Sequence, residues 1–282
     1  MTNVESAEKI MTQKLITCSP ADTLLQVQQL MVKNNISRVV IVDENNKPVG
    51  IITQKDMINF LVADKSKRGI EEIKAEEVMT KKLITAKRKM PISKIAETMT
   101  KKDISSVIIV DGKGKLDGIV TKTDITAWYG DTKGAYKVQE FMTGKPVTVT
   151  PSQSVFLVAS LMAEHAISRV VVVADKENKP AGIITLADMT MMSRLLKPAQ
   201  VLKEGKPVVV KGAIALPKDV YLLTASDIMT PDPITVRKSA NLTDVAQLMT
   251  KHKISGLPVT DKGKLVGIIT KSDIIRAVAH EK

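Results

Sequence analysis

The sequence predicts an α+β protein built from four copies of one β-α-β-β-α repeat. A Gly-apolar-apolar-Thr-x-x-Asp stretch occurs four times, beginning at Gly50, Gly118, Gly182 and Gly267. A Met-Thr pair precedes each of these glycines by 38 to 40 residues. Hydrophobic residues make up 44% of the 282 residues, which is enough to build several cores. Four similar stretches at a nearly constant distance indicate a repeat protein.

Each repeat presents the same order of predicted elements. A short extended piece, such as Leu83-Ile84-Thr85, comes first and is followed by a helix with apolar residues at helical spacing. A β-branched strand, a polar turn and the glycine-containing strand then form a hairpin, and a second helix closes the repeat. The residues expected on the buried face of the first helix are Leu24, Val27 and Met31; Ile92, Ile95, Ala96 and Met99; Val155, Val158, Ala159 and Met162; and Leu242, Val245, Ala246 and Met249.

The Thr-x-x-Asp part of the motif predicts a corner where a buried strand leads into a helix. In the first copy Ile51 and Ile52 end at Thr53, and Asp56 follows three residues later. We expect the aspartate to be the N-cap of the helix, since a side-chain carboxylate satisfies free N–H groups of the first turn. A capping role needs no ligand, so the recurrence alone does not distinguish a structural aspartate from a binding one.

The spacing divides the chain into four repeats and one insertion. The repeats are expected at residues 8–64, 75–130, 138–196 and 225–280, with a basic insertion or linker at 197–224. A repeat of this length buries little surface alone, so the repeats should pair. We expect the insertion to be a partly ordered surface segment.

Composition narrows the functional classes. The net charge is +12, and most of the 42 basic residues are lysines, which indicates a solvated basic surface or a polyanion partner such as nucleic acid. Cys18 is the single cysteine, so no intrachain disulfide is expected. No apolar run approaches the roughly 20 residues of a membrane span, and we expect a cytoplasmic protein without a membrane partner. The sequence shows no catalytic constellation and no metal-ligand spacing, so neither an enzyme nor a metal site is predicted.

The repeat resembles the CBS domain, named after cystathionine β-synthase. The resemblance is carried by the Met-Thr pair, the Ile36-Ser37-Arg38-Val39 type of strand start and the Gly-apolar-apolar-Thr-x-x-Asp corner, and it covers nearly the whole chain. It implies that the repeats pair through their sheets into two Bateman modules and assemble as a flat disc.

The resemblance also implies a ligand. CBS repeats bind AMP, ADP, ATP, S-adenosylmethionine and related compounds in clefts between paired repeats, and no other cofactor is required. The residues expected at the ribose and phosphates are Thr53, Asp56, Thr121, Asp124, Thr185, Asp188, Thr270 and Asp273. Those expected at the adenine are Thr17, Thr85, Thr148 and Thr235.

The four expected sites differ in their basic residues. The resemblance implies a phosphate-binding residue at the start of the middle strand, where repeats one and three have Arg38 and Arg169. Repeats two and four have Ser106 and Gly256 there, and instead carry Lys122 and Lys271 directly after the threonine. We therefore expect one or two sites to hold a nucleotide well, with the arginine-bearing repeats favoured.

These features predict a non-catalytic regulatory sensor that binds an adenosine-containing ligand and signals to an effector protein. Two alternatives stay open: a nucleic-acid-binding regulator that uses the lysine-rich surface, and a scaffold with inactive sites. A homodimer is compatible with each of them.

Overall fold

The structure, a computed structural model, describes residues 5–64, 66, 68–174, 178–189 and 223–281. Most of the predicted insertion at 197–224 lies outside the described residues. Within these ranges, no helix combines the length and the apolar character needed to cross a membrane.

The described chain is a mixed α+β structure with four similar repeats, as predicted. Repeat one contains α1 Ala7–Ile10, β1 Thr17–Cys18, α2 Leu24–Lys33, β2 Arg38–Val42, β3 Pro48–Thr53 and α3 Gln54–Ala63. Repeat two contains α4 Ala75–Val78, β4 Thr85–Ala86, α5 Ile92–Lys102, β5 Ser106–Val110, β6 Leu116–Thr121 and α6 Lys122–Gly130.

Repeats three and four follow the same order. Repeat three contains α7 Val138–Phe141, β7 Thr143–Gly144, β8 Thr148–Val149, α8 Val155–Glu164, β9 Arg169–Val173 and β10 Pro180–Thr185. Repeat four contains α9 Ala225–Ile228, β11 Thr230–Pro231, β12 Val236–Arg237, α10 Leu242–Lys251, β13 Gly256–Asp261, β14 Lys264–Thr270 and α11 Lys271–His280. The four-residue helices α1, α4, α7 and α9 were not predicted, because a single helical turn is too short to show a periodic pattern.

The chain forms two compact units. Unit 1 comprises residues 1–129 and 274–282, and unit 2 comprises residues 130–273. Unit 1 contains two three-stranded sheets with the orders β1-β2-β3 and β4-β5-β6. Unit 2 contains two four-stranded sheets with the orders β11-β10-β9-β8 and β12-β13-β14-β7. In every repeat the first extended strand pairs parallel with the middle strand, which forms an antiparallel hairpin with the next one.

The middle strand of each repeat is buried on both faces. In repeat one, Val39 and Ile41 pack with the helices of their own repeat. Val40, which points to the opposite face, packs against Ile108 and Ile119 of repeat two. The apolar faces predicted for the first helices are buried in all four repeats. Repeat one therefore has a core on one face of its sheet, which Ala75 and Val78 of α4 complete, and a second core on the other face that it shares with repeat two.

The Met-Thr pair of one repeat contacts the glycine of its partner repeat. In unit 1, Thr12 forms an antiparallel β-bridge with Ile119, and Thr80 forms one with Ile51. Each Met-Thr pair thus lies along the edge of the other repeat's hairpin. In unit 2, β7 and β11 form the same pairing as short strands. A Cβ on any of the four motif glycines would collide with, or press tightly against, the partner's methionine side chain. The motif glycines therefore leave room for the methionine side chains of the partner repeats.

Candidate functional site

The Thr-x-x-Asp corner is a capping box in which the threonine, and not the aspartate, is the N-cap. Thr53 precedes α3 as its N-cap, and Asp56 is the third helical residue. The Thr53 backbone N and Oγ1 donate to Asp56 Oδ2 at 2.8 and 2.7 Å, and the Asp56 N–H donates back to Thr53 Oγ1 at 3.2 Å. The prediction that the aspartate is the N-cap was therefore wrong, since a Thr-x-x-acid sequence forms the reciprocal box.

The other three corners repeat this arrangement. The Asp Oδ2 accepts from the threonine N at 2.7 Å and from its Oγ1 at 2.7–2.8 Å in the pairs Thr121 and Asp124, Thr185 and Asp188, and Thr270 and Asp273. One carboxylate oxygen thus closes the helix start. Oδ1 of Asp56 accepts no hydrogen bond from the described residues, so it can accept one from a ligand.

A cleft of about 360 Å³ lies between the corner of repeat one and the strands of repeat two. Repeat one contributes the residues that surround its corner: Ile51, Thr53, Lys55, Asp56 and Asn59. Repeat two contributes the residues before and at the start of its first and middle strands: Thr80, Lys82, Leu83, Ile84, Asp103, Ile104, Ser105, Ser106 and Ile108. The cleft therefore combines two carboxylates and two ammonium groups with an apolar wall.

The cleft contains some predicted residues and several that sequence reasoning missed. Thr53 and Asp56 line the cleft. Thr85 is exposed and does not line it; the same extended piece contributes Leu83 and Ile84. Sequence reasoning missed Lys55 in the first turn of α3 and Lys82 beside the apolar pair. Lys55 lies next to the predicted Asp56, so its proximity to the motif was an available signal, whereas Lys82 reaches the cleft through the packing of repeat two.

The remaining adenine-side candidates lie on their short strands. Thr17 and Thr148 are half-buried in β1 and β8, and Thr235 is exposed immediately before β12. Each lies in the parallel-paired edge region of its repeat. Lys122 and Lys271 are the first residues of α6 and α11, where their main-chain N–H groups donate to the carbonyls of Ser105 and Ser255.

Arg38 reaches from repeat one to repeat two. Its Nη1 donates to the Ser105 carbonyl at 2.8 Å and to Ser105 Oγ at 3.2 Å, and its Nη2 donates to Ser37 Oγ at 3.3 Å. Burial lowers the pKa of the guanidinium, and the nearby Asp124 carboxylate opposes that shift. Arg38 does not line the cleft at Asp56.

Arg169 makes the corresponding contacts in unit 2. Its Nη1 donates to the Ser255 carbonyl and its Nη2 donates to Ser255 Oγ at 3.2 Å. Burial lowers its pKa and Asp273 opposes the shift. A Cβ at position 256 would collide with Arg169 Nη1, so Gly256 provides the space that this guanidinium occupies.

Asp124 is the corner carboxylate whose protonation should depend on the arginine. Burial raises its pKa, while hydrogen bonds from Thr121 and the charge of Arg38 act in the opposite direction. Replacing Arg38 by methionine should raise the Asp124 pKa further, because burial stays and the neighbouring positive charge is lost. A raised pKa means that ionisation of Asp124 lowers the free energy of unfolding. The variant should therefore lose stability relative to the wild type as the pH rises through the Asp124 pKa.

A carboxyl ¹³C NMR titration measures this pKa directly. Arg169→Met, which removes the matching arginine from unit 2, is the control and should leave the Asp124 titration unchanged. An Asp124 pKa that stays the same or falls in Arg38→Met would contradict the expected electrostatic contact.

Among the residues that the structure describes, no group of three or more His, Cys, Asp or Glu side chains has the arrangement of a metal site. Cys18 is buried, and this burial raises the pKa of its thiol to about 11. A thiol in that environment stays protonated near neutral pH and is a poor nucleophile.

Comparison with protein families identifies the repeat. The CBS domain model matches residues 7–63, 75–131, 138–192 and 225–280, which together make up most of the chain. The chain belongs to the CBS domain family. Unit 1 contains the sheets of repeats one and two and unit 2 those of repeats three and four, and the two CBS repeats of each pair contact through their sheets, which is the Bateman arrangement.

Several archaeal proteins are similar over nearly the whole chain. Protein MJ1225 of Methanocaldococcus jannaschii is 26% identical over 281 residues, covering 95% of this chain and 96% of the relative. The crystal structure of MJ1225, described as a candidate archaeal homolog of g-AMPK, superposes with a TM-score of 0.76 at 25% identity, covering 96% of this chain and 99% of that one. MJ1404 of the same organism is 27% identical over 292 residues, covering 99% of this chain and 63% of the relative.

A conserved protein of Pyrococcus horikoshii has the same fold. Its crystal structure superposes with a TM-score of 0.67 at 21% identity, covering 97% of this chain and 100% of that one. Four CBS repeats in one chain are thus a fold that this protein shares with archaeal proteins of known structure.

Proposed function

We propose that this CBS protein is a non-catalytic regulatory sensor that binds an adenosine-containing ligand in the cleft at Asp56. The observation that carries the proposal is the Asp56 carboxylate, which closes the helix start with Oδ2 and leaves Oδ1 available in a cleft of about 360 Å³. That volume falls in the usual range of small-molecule sites. An ionised carboxylate only accepts hydrogen bonds, which suits the two hydroxyl groups of a ribose.

The lining of the cleft suits the other parts of such a ligand. Leu83, Ile84 and Ile104 offer an apolar wall for the adenine ring. Lys55 lies in the first turn of α3, where the helix dipole also favours anions, and Lys82 lies on the opposite wall. The two lysines suit the phosphates of a nucleotide or the carboxylate of S-adenosylmethionine. Asp103 supplies a second carboxylate, which suits the two cationic groups of S-adenosylmethionine.

The corners at Asp124, Asp188 and Asp273 are proposed as further ligand positions of the same kind. Arg38 and Arg169 lie near Asp124 and Asp273, and would provide phosphate contacts there. The similarity to a candidate g-AMPK homolog supports a regulatory role in which ligand binding is passed to an effector protein. Such coupling is reciprocal, so the effector would change the ligand affinity by the same factor.

Titration of the wild type and Asp56→Asn with AMP, ADP, ATP, S-adenosylmethionine and adenosine tests the proposal. Asparagine can still accept the bonds from Thr53, but it lacks the charge and one acceptor oxygen. We expect one binding event in the calorimetric isotherm to weaken by about 1.5–3 kcal/mol, the usual range for a charge-assisted hydrogen bond. The ligand should also raise the melting temperature of the wild type.

Asp227→Asn is the matched control. Asp227 closes an equivalent capping box on Thr224, with both bonds at 2.7 Å, but it does not follow a Gly-apolar-apolar-Thr strand. It should lose the same amount of cap stability and keep the full ligand affinity. The proposal is wrong if none of the five compounds binds, or if both variants bind as the wild type does.

A further inference from the structure

The cleft at Asp56 has two walls that belong to different repeats. The wall from repeat one is the corner of Thr53 and Asp56. The wall from repeat two includes the segment from Asp103 to Ser106, where the chain passes from α5 into β5. The separation of these walls decides whether a ligand can contact both at once.

Arg38 is attached to both walls although it lines neither. Its main chain pairs with Thr53 at the first position of the β2–β3 hairpin, so its backbone is fixed to the corner that carries Asp56. Its side chain crosses to repeat two and donates two hydrogen bonds to Ser105, at 2.8 and 3.2 Å. One residue thus connects the two walls across a sequence separation of 67 residues.

The other bonds to the segment that Arg38 contacts come from within repeat two, where Ser106 pairs with Thr121 in the β5–β6 hairpin. Asp103 ends α5 in the left-handed conformation, with φ 47°. Ile104 donates its N–H back to Met99, and the Ser105 carbonyl also accepts from the Lys122 N–H at 3.1 Å. The bonds from Arg38 join this segment to repeat one and so to the opposite wall.

We propose that Arg38 is a positioning residue that sets the width of the Asp56 cleft by fixing Ser105 relative to the corner of repeat one. The effect of Arg38 on ligand affinity rests on the proposed function, whereas its effect on the position of Ser105 does not. Arginine suits this role because its planar guanidinium presents two nitrogens in a fixed geometry, with Nη1 donating to Ser105 and Nη2 donating to Ser37 Oγ, whereas a lysine ammonium presents one nitrogen.

Unit 2 contains a second copy of the same connection. Arg169 pairs with Thr185 at the first position of the β9–β10 hairpin and donates to the carbonyl and hydroxyl oxygens of Ser255. Gly256 leaves room for that guanidinium. The same arginine–serine contact thus occurs in both units. Arg169 therefore also supplies a control variant that leaves the Asp56 cleft intact.

Hydrogen exchange measured by mass spectrometry on the full chain tests the role of Arg38 without a ligand. In Arg38→Met, which keeps the length and bulk of the side chain, amides in peptides covering residues 102–108 should exchange at least several-fold faster than in the wild type. Arg169→Met should leave these peptides unchanged and accelerate those covering residues 252–258. Unchanged exchange at 102–108 in Arg38→Met, beside unchanged global stability, would overturn the proposal.

Titration with AMP and S-adenosylmethionine then tests the consequence for binding. Arg38→Met should weaken the binding event that Asp56→Asn also weakens, by about tenfold, and Arg169→Met should change it by less than twofold. Arg38→Lys should behave like the methionine variant if the two-acceptor geometry matters, and like the wild type if the charge alone does. Faster exchange with unchanged affinity would overturn the positioning role in binding. If the wild type binds neither compound, the proposed function fails, and the exchange data still decide whether Arg38 fixes the wall.

Discussion

Gly267→Ala is expected to lower the free energy of unfolding by about 1–3 kcal/mol, the usual cost of an extra methyl group where no space exists. A Cβ at this position would lie 2.8 Å from the Thr143 carbonyl oxygen and 2.9 Å from Met142 Sδ. The methionine side chain can move, but the carbonyl belongs to the strand pair that joins repeats three and four. Relief of the clash therefore requires a shift of β7 against β14.

Gly144→Ala is the matched control, because Gly144 lies directly opposite Gly267 in the same strand pair. A Cβ at position 144 would have no atom within 4 Å, and its φ is outside the left-handed region. Its unfolding free energy should stay within about 0.5 kcal/mol of the wild type, as for most surface substitutions. Urea denaturation curves compare the two variants. Equal stability losses in both would mean that the contact between the repeats does not restrict position 267.

Val27→Ala is expected to cost about 2 kcal/mol, from the lost burial of two methyl groups and the cavity that they leave. Val27 is completely buried on α2, where it packs in the core of repeat one with Leu24 and Met31. The same denaturation curves measure the loss. It should appear as a lower midpoint with an unchanged slope, since the surface exposed on unfolding stays nearly the same.

Val32→Ala on the same helix makes the identical chemical change in a different environment. Val32 is 56% exposed, so its removal should alter the unfolding free energy by less than about 0.5 kcal/mol. The difference between the two variants measures the amphipathic character of α2. A similar loss in both would contradict the assignment of the loss to burial of one face, since the higher helix propensity of alanine favours both variants equally.

Local sequence patterns were sufficient to predict the repeat and its corner. The capping box joins residues three apart, and the apolar face of each first helix joins residues three or four apart. Such contacts are visible in a sequence because their spacing is fixed by helix geometry. For this reason the strand-to-helix corner at Thr53 and Asp56 and the buried faces of the first helices were predicted correctly, although the aspartate was wrongly taken as the N-cap.

Contacts between repeats could not be predicted in the same way. Lys82 and Ser105 reach the cleft at Asp56 only because repeat two packs against repeat one, and no local spacing encodes that packing. The same applies to Arg38, whose position at a strand start was noticed but whose hydrogen bonds to Ser105 depend on the partner repeat. Most of the site residues that the sequence missed are those that the partner repeat contributes, whereas Lys55 belongs to the corner itself.

The reciprocal contact of each Met-Thr pair with its partner's glycine has an evolutionary consequence. A recombination event that exchanges a single repeat would replace one side of two such contacts at once, in addition to the shared sheet core. An event that exchanges the two repeats of a unit together leaves these contacts intact. Selection on this fold should therefore act on pairs of repeats, and the two members of a pair are free to diverge from each other as long as they remain complementary.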